Sequence, residues 1–270
     1  MLAVENLNIA FRRYAGLLAR NRLVCLRGIS LFVNAGEVLA IVGASGAGKS
    51  LLAQALLGIL PSNAEVGGSI LFNGSPLSPE RQATLRGREI ALVPQSVACL
   101  DPLAPVGRQV RLAARRAGIA SSRCKETADR ALSRFGLGLS VGKAFPHQLS
   151  GGMARRVLLA MATVADPALI IADEPTTGLD PDNAATVLRH LRMLADDRKG
   201  VLLISHDIRA ALPLADRVAV VRDGAIVETV AADRFRDGGT KLATDYARAL
   251  WRALPENDFC EAASFHVEGG

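Results

Sequence analysis

Five short stretches carry residue types that chemistry needs. In the first, Gly43, Gly48, Lys49 and Ser50 satisfy the spacing G-x-x-x-x-G-K-S, with Ala44, Ser45, Gly46 and Ala47 between and Leu51 after. A glycine-rich loop of this length can close round a phosphate chain, its N–H groups pointing inward with the positive end of a following helix behind them. Lys49 would reach the β and γ oxygens, and Ser50 a magnesium ion. That is the chemistry of a nucleoside-triphosphate site. The second stretch, Asp173-Glu174, puts two carboxylates side by side with separate tasks available: Asp173 would hold magnesium through water, and Glu174 would polarise an attacking water as general base. In the third, His206 in Ser205-His206-Asp207 is a donor suited to a γ-phosphate. Gln95 is the fourth, able to reach the metal or the attacking water. The fifth, Ser150-Gly151-Gly152, reads as a serine-capped helix start with bare N–H groups facing outward, a second anion-binding position. One chain needs one phosphate loop per nucleotide, so this second position is expected to serve a nucleotide held by another molecule.

These residues need a frame, and the hydrophobic pattern supplies one. Val38 to Val42 is a short apolar run that enters the glycine loop, and Leu51 to Leu57 has the character of the helix leaving it. Glu89 to Pro94, Ala168 to Ala172 and Val201 to Ile204 are further apolar runs of the kind buried on both faces of a parallel sheet. They end at Gln95, Asp173-Glu174 and His206, so these three fall at strand C-termini, where open α/β sheets bind ligands. Val4 to Phe11 and Leu26 to Val33 read as strands of a small antiparallel layer, and Tyr14 to Arg27 as a basic, loop-like excursion between them. Phe11, and less so Tyr14, is placed to stack on a purine ring; for Phe11, packing in the core is the equal alternative. Ser96 to about Gln148 changes to segments rich in Ala, Arg and Leu, an inserted helical region. Arg217 to Val221 and Ala225 to Val230 read as a closing hairpin. From Asp233 the chain is a helical tail that ends in a polar stretch, Glu256 to Gly270, with a disordered end expected.

Composition narrows the class. With 270 residues, half of them hydrophobic, the chain can bury a large core. No apolar stretch has the length to span a bilayer, Val157 to Ala172 being broken by Asp166-Pro167, and the N-terminus lacks the pattern of a secretory signal. Cys25, Cys99, Cys124 and Cys260 are scattered without a C-x-x-C pair, which favours neither a disulfide framework nor a zinc site and fits a reducing compartment. The net charge of +6 is compatible with an anionic partner or with a merely solvated basic face.

Taken together the stretches resemble the ATP-binding subunits of ABC transporters. GASGAGKS matches the Walker A motif, Gln95 the Q-loop, LSGGM the ABC signature, LIIADE the Walker B with its catalytic glutamate, TTGLD the D-loop with Asp180, and ISHD the H-loop, in order over residues 4–230. The resemblance implies an α/β fold: a RecA-like P-loop NTPase core with a small antiparallel layer and an inserted helical subdomain at about 96–155. The ATP-binding domain would cover residues 1–235, with a C-terminal helical tail at 236–270. It implies ATP and Mg2+ as cofactors, and Glu174, His206 and Gln95 as catalytic. Ser50, Gln95 and Asp173 would lie at the metal. ATP would be shared between one chain's phosphate loop and the Ser150-Gly151-Gly152 and Asp180 of a second ATPase subunit, identical or related. Further expected partners are two integral membrane permease subunits and, through them, a solute-binding protein, with this chain peripheral on the cytoplasmic face of the inner membrane. Nucleic acid is not an expected partner; the runner-up is a soluble ABC ATPase acting on DNA or ribosomes. LLGILP, FPHQLSGGM, IIADEPTTGLD and ARALWRALP look like peptide/nickel importers, the nickel-type first subunit above all. Ser96-Val97 after Gln95, and Arg155 where glutamine is common, depart from the family pattern.

Overall fold

The computed structural model describes residues 1–15, 19–236 and 239–253. The strands β1 (Leu2–Ala15) and β2 (Ala19–Val33) open the chain as an antiparallel pair. After β3 (Val38–Val42) and α1 (Lys49–Leu57), β4 (Ala64–Phe72) pairs with β1, and the two-residue β5 (Ser75–Pro76) closes a four-stranded sheet in the order β2-β1-β4-β5. The basic segment expected as a loop between Tyr14 and Arg27 is largely strand. Part of the charge here is paired: Glu65 on β4 accepts from Arg22 of this segment at 2.9 Å and from Arg12 just before it. A run of arginines reads as loop when its counter-charge lies far downstream, here 53 and 43 residues away.

The second sheet, which holds β3, takes its next strand after α2 (Pro79–Leu85), as β6 (Ile90–Val93). The helices α3 (Val106–Arg116), α4 (Cys124–Arg134) and α5 (Gly151–Thr163) follow, and then β7 (Leu169–Asp173), α6 (Pro181–Asp196), β8 (Gly200–Ser205) and the single turn α7 (Ile208–Ala211). The hairpin β9 (Arg217–Arg222) and β10 (Ala225–Ala231), the short α8 (Asp233–Arg236) and α9 (Asp245–Arg252) complete the described chain. Six strands form a sheet in the order β10-β9-β3-β8-β7-β6, parallel except for β10.

The central strands β3, β7 and β8 are buried on both faces, which is why they read as unbroken apolar runs. In β3, Val38, Ala40 and Val42 face a core shared with α3, α4, α5 and α6, while Leu39 and Ile41 face a second core shared with α1 and the antiparallel sheet. Leu39, Ile41, Leu52 and Leu56 are at most 2% exposed, each worth about 2 kcal/mol by area removed from water. The helix α1 is therefore clamped between two sheets, which fixes the glycine loop at its start. The Tyr14 side chain, Cys260 and the polar stretch 256–270, with the disorder expected there, lie outside the described residues.

The tail is attached through a buried carboxylate. Glu228 on β10 accepts from the N–H of Ala243 (2.7 Å), the N–H of Thr244 (2.9 Å) and the Thr244 hydroxyl (2.6 Å), and Thr244 caps α9. A second tie joins β9 to the same helix, where the Arg222 guanidinium sits 5.0 Å from the centre of the Tyr246 ring.

Candidate nucleotide site

Register brings the polar candidates to one edge. Val42 lies opposite Ser205, Asp173 opposite Ile204, and Val93 opposite Ala172, so the chain leaves β3, β8, β7 and β6 at neighbouring points. From those exits come the glycine loop, His206, Glu174 and Gln95.

The loop has to turn sharply under β9. A Cβ at Gly43, where φ is +154°, would meet the Val221 carbonyl oxygen at 2.1 Å. Gly48 stands in the left-handed region at φ +93° as the cap of α1, and among the described residues no side chain caps the start of that helix. Those donors are left for an anion. Lys49, 7% exposed, donates from Nζ to the carbonyl oxygens of Gly43 (2.8 Å) and Ala44 (2.9 Å). Burial lowers its pKa from the ordinary lysine value, against the pull of Glu174 and Asp173. Those carboxylates keep a positive charge favoured at the point where phosphate oxygens would compete for it.

Ser50 donates its hydroxyl proton to Asp173 Oδ1 at 3.0 Å. Burial raises the Asp173 pKa, with Glu174 adding to it and the Ser50 hydrogen bond and the Lys49 charge opposing. A hydroxyl and a partly desolvated carboxylate in contact are the hard oxygen donors that magnesium takes alongside substrate phosphates, so the pair fits that ion.

Glu174 is 6% exposed and has φ +47°, a conformation costing about 1 kcal/mol or more in a residue other than glycine. Its N–H donates to Ile204 O at 2.9 Å, which locks the turn against β8. The carboxylate is reached from two sides: His206 Nδ1 stands 2.7 Å from Oε2, and the Thr177 hydroxyl donates to the same oxygen at 3.4 Å. With the carboxylate as acceptor, Nδ1 is the donor in this contact. A strained, oriented carboxylate beside a phosphate loop can take a proton from water.

The remaining candidates are distributed differently. Gln95 is exposed, and its carbonyl accepts from Arg155. Ser150 is exposed and caps α5, its Oγ accepting from the Met153 N–H at 3.2 Å. Gly151 is exposed; Gly152 is packed so that a Cβ would meet the Asn183 side chain at 2.0 Å. Asp180 caps α6, accepting from the N–H of Asn183 at 3.0 Å and from its Nδ2 at 2.6 Å. Phe11 is half-buried and packs against the core beneath the antiparallel sheet. Thr177 and Arg155 were not among the expected functional residues. Thr177 was hidden in a turn of small residues, and Arg155 showed itself only as a departure from glutamine.

Comparison with known proteins gives the arrangement its context. The ABC transporter family profile matches residues 26–177. Over 245 residues the chain is 37% identical to the oligopeptide transport ATP-binding protein OppD of Bacillus subtilis (strain 168), covering 87% of this chain and 67% of that one. It is 34% identical over 274 residues to the glutathione import ATP-binding protein GsiA of Escherichia coli O1:K1, covering 95% of this chain but only 42% of that one. Among solved structures, an ATP-binding subunit of an ABC transporter superposes with a TM-score of 0.72 at 26% identity, over 93% of this chain and 99% of that one. The dimeric cassette MJ0796 bound to ADP and Pi superposes with a TM-score of 0.74 over 86% of this chain and 99% of that one; at 24% identity it speaks for the fold. With a phosphate loop, a buried carboxylate and these relatives in agreement, the chain belongs to the ABC transporter family as its ATP-binding cassette, an ATPase.

Proposed function

We propose that the chain energises an importer for short peptides, or for nickel or another chelated metal, as a peripheral subunit on the cytoplasmic face of the inner membrane. The observation that carries the reading is the pair of helix starts in one chain. One, at Gly48, lies beside the buried Glu174; the other, at Ser150, is capped and exposed. In the proposed assembly two cassettes pair so that the Ser150-Gly151-Gly152 and Asp180 of each face the nucleotide on the other's loop. The names of the oligopeptide and glutathione relatives favour a peptide cargo. The likeness of LLGILP, FPHQLSGGM and ARALWRALP to nickel-type first subunits keeps a nickel chelate as the second candidate.

In this reading Lys49 and the loop N–H groups hold the β and γ phosphates of ATP, and Glu174 accepts the proton of the attacking water. His206, held on Glu174 through Nδ1, presents its other ring nitrogen to the γ-phosphate, and Gln95 lines the exit toward the helical region. Ser50 and Asp173, with Gln95, would hold a magnesium ion, which would supply neutralisation of the phosphate charge. Closing the pair and reopening it after hydrolysis would drive two permease subunits, fed by a solute-binding protein. Among the described residues no helix is long and apolar enough to cross a membrane, and in this reading the path through the membrane belongs to those permeases.

The test is to purify the tagged chain from its native membranes, reconstitute what comes with it, and measure ATP turnover against candidate solutes. Co-purifying membrane proteins and turnover raised by a short peptide or a nickel chelate support the reading. Co-purification with DNA or ribosomes instead, without membrane proteins, supports the soluble alternative.

A further inference from the structure

Arg155 is a buried cation whose hydrogen-bond partners are all carbonyl oxygens. The side chain, on the buried face of α5, is 3% exposed. Its Nη1 donates to Pro94 O at 3.0 Å and to Gln95 O, and its Nη2 donates to Thr177 O at 3.0 Å. Nε has no partner. Burial draws the pKa of Arg155 down from the ordinary arginine value, but a guanidinium does not give up its proton in proteins, so the charge stays. A desolvated cation held only by dipoles is a poor way to gain stability, since a neutral side chain would fill the same space at lower cost.

What the guanidinium joins explains its presence better. Pro94 and Gln95 are the exit of β6. Thr177 belongs to the turn that holds the base: its hydroxyl reaches Glu174 Oε2 at 3.4 Å and its N–H donates to Glu174 O at 3.3 Å. The third element is α5 itself, which begins at the exposed Ser150. One planar fork therefore spans the helix start, the Gln95 segment and the Glu174 turn, a geometry that neither lysine nor glutamine can reproduce.

We propose that Arg155 is a positioning residue that makes the placement of Gln95 and Glu174 depend on how α5 is seated. Occupancy of the nucleotide position at Ser150 would then set the hydrolytic competence of the chain's own site. This rests on the shared-site reading under Proposed function.

The experiment measures ATP turnover and ATP binding in the complex carrying Arg155→Gln, with Arg155→Lys and Ser150→Arg beside it. Arg155→Gln is expected to lower kcat by about 10- to 100-fold, the scale of a small misplacement of catalytic groups. ATP affinity should stay within about twofold, and the Hill coefficient for ATP should fall toward one. Arg155→Lys should fail to restore either kcat or the Hill coefficient. Unchanged kcat and Hill coefficient in Arg155→Gln, beside an inactive Ser150→Arg, overturn this inference alone. A parallel loss of kcat, ATP affinity and thermal stability also overturns it, because it marks a merely structural arginine. Full turnover in Ser150→Arg overturns the shared-site reading, and this inference with it. If Arg155→Gln does not fold, Arg155→Lys carries the same comparison.

Discussion

His206 Nδ1 and Glu174 Oε2 stand 2.7 Å apart at the ends of neighbouring parallel strands, β8 and β7. The contact makes the two residues one unit: the carboxylate orients the imidazole, and the imidazole orients the carboxylate. Glu174→Gln and His206→Ala are each expected to lower kcat by about 10²- to 10⁴-fold, the range of general-base catalysis, while leaving ATP binding intact. The double variant should be no slower than the worse single one, because groups acting together do not add. Steady-state turnover and equilibrium ATP binding on the three variants check this; ordinary turnover in Glu174→Gln would remove it as the base.

Lys49 is buried with its ammonium on two loop carbonyls, the contacts that phosphate oxygens would replace. Removing it in Lys49→Ala is expected to cost about 3 kcal/mol of ATP binding, roughly 100-fold in Kd. The nucleotide-free protein should not lose thermal stability, since burial already disfavours that charge. Titration with ATP and a melting curve separate the two effects, and retained affinity would count against the loop.

Ser150 is exposed at the start of α5, and a long cation there would block whatever approaches it. Ser150→Arg is expected to leave the first ATP bound with affinity within about twofold, and to depress turnover by about 10²-fold, on the scale of one lost preorganised anion contact. Turnover as a function of protein concentration, compared with wild type, is the measurement.

Glu228 offers a pH-dependent prediction. Its burial favours the neutral form, but donation from Thr244 and from the Ala243 and Thr244 N–H groups, with Arg248 nearby, outweighs this and holds the pKa below the usual glutamate value of 4.5. A carboxylate with a depressed native pKa contributes stability that is present above the unfolded value and lost as pH falls through the native one. The attachment of α9 should therefore weaken below pH 4.5 and be insensitive to pH around neutrality. Trp251, the single tryptophan of the chain, packs against Gly239 and reports the attachment by fluorescence. Glu228→Ala should release the segment at neutral pH, losing about 1–3 kcal/mol, and remove the acid transition.

Much of the site could be read directly from the chain because its parts are local. A glycine loop between a strand and a helix, an acidic pair after an apolar run, and a serine before two glycines each owe their meaning to neighbours within a few residues. The strands were legible for a related reason, since burial on both faces keeps polar side chains out of the middle of β3, β7 and β8. The basic segment from Tyr14 to Arg27 misled because Glu65, the partner of its Arg22, is distant in sequence, and Phe11 left two roles open that local pattern cannot separate.

By itself, then, the sequence determined the chemistry available: a phosphate loop, a carboxylate pair, and the order of the elements that carry them. Only the tertiary structure decided which of these groups touch. That Ser50 meets Asp173, that His206 and Thr177 converge on Glu174, and that Arg155 binds the carbonyls of both Gln95 and Thr177 follow from strand register and helix packing. Most of these contacts join residues far apart in the chain, and no local propensity encodes them.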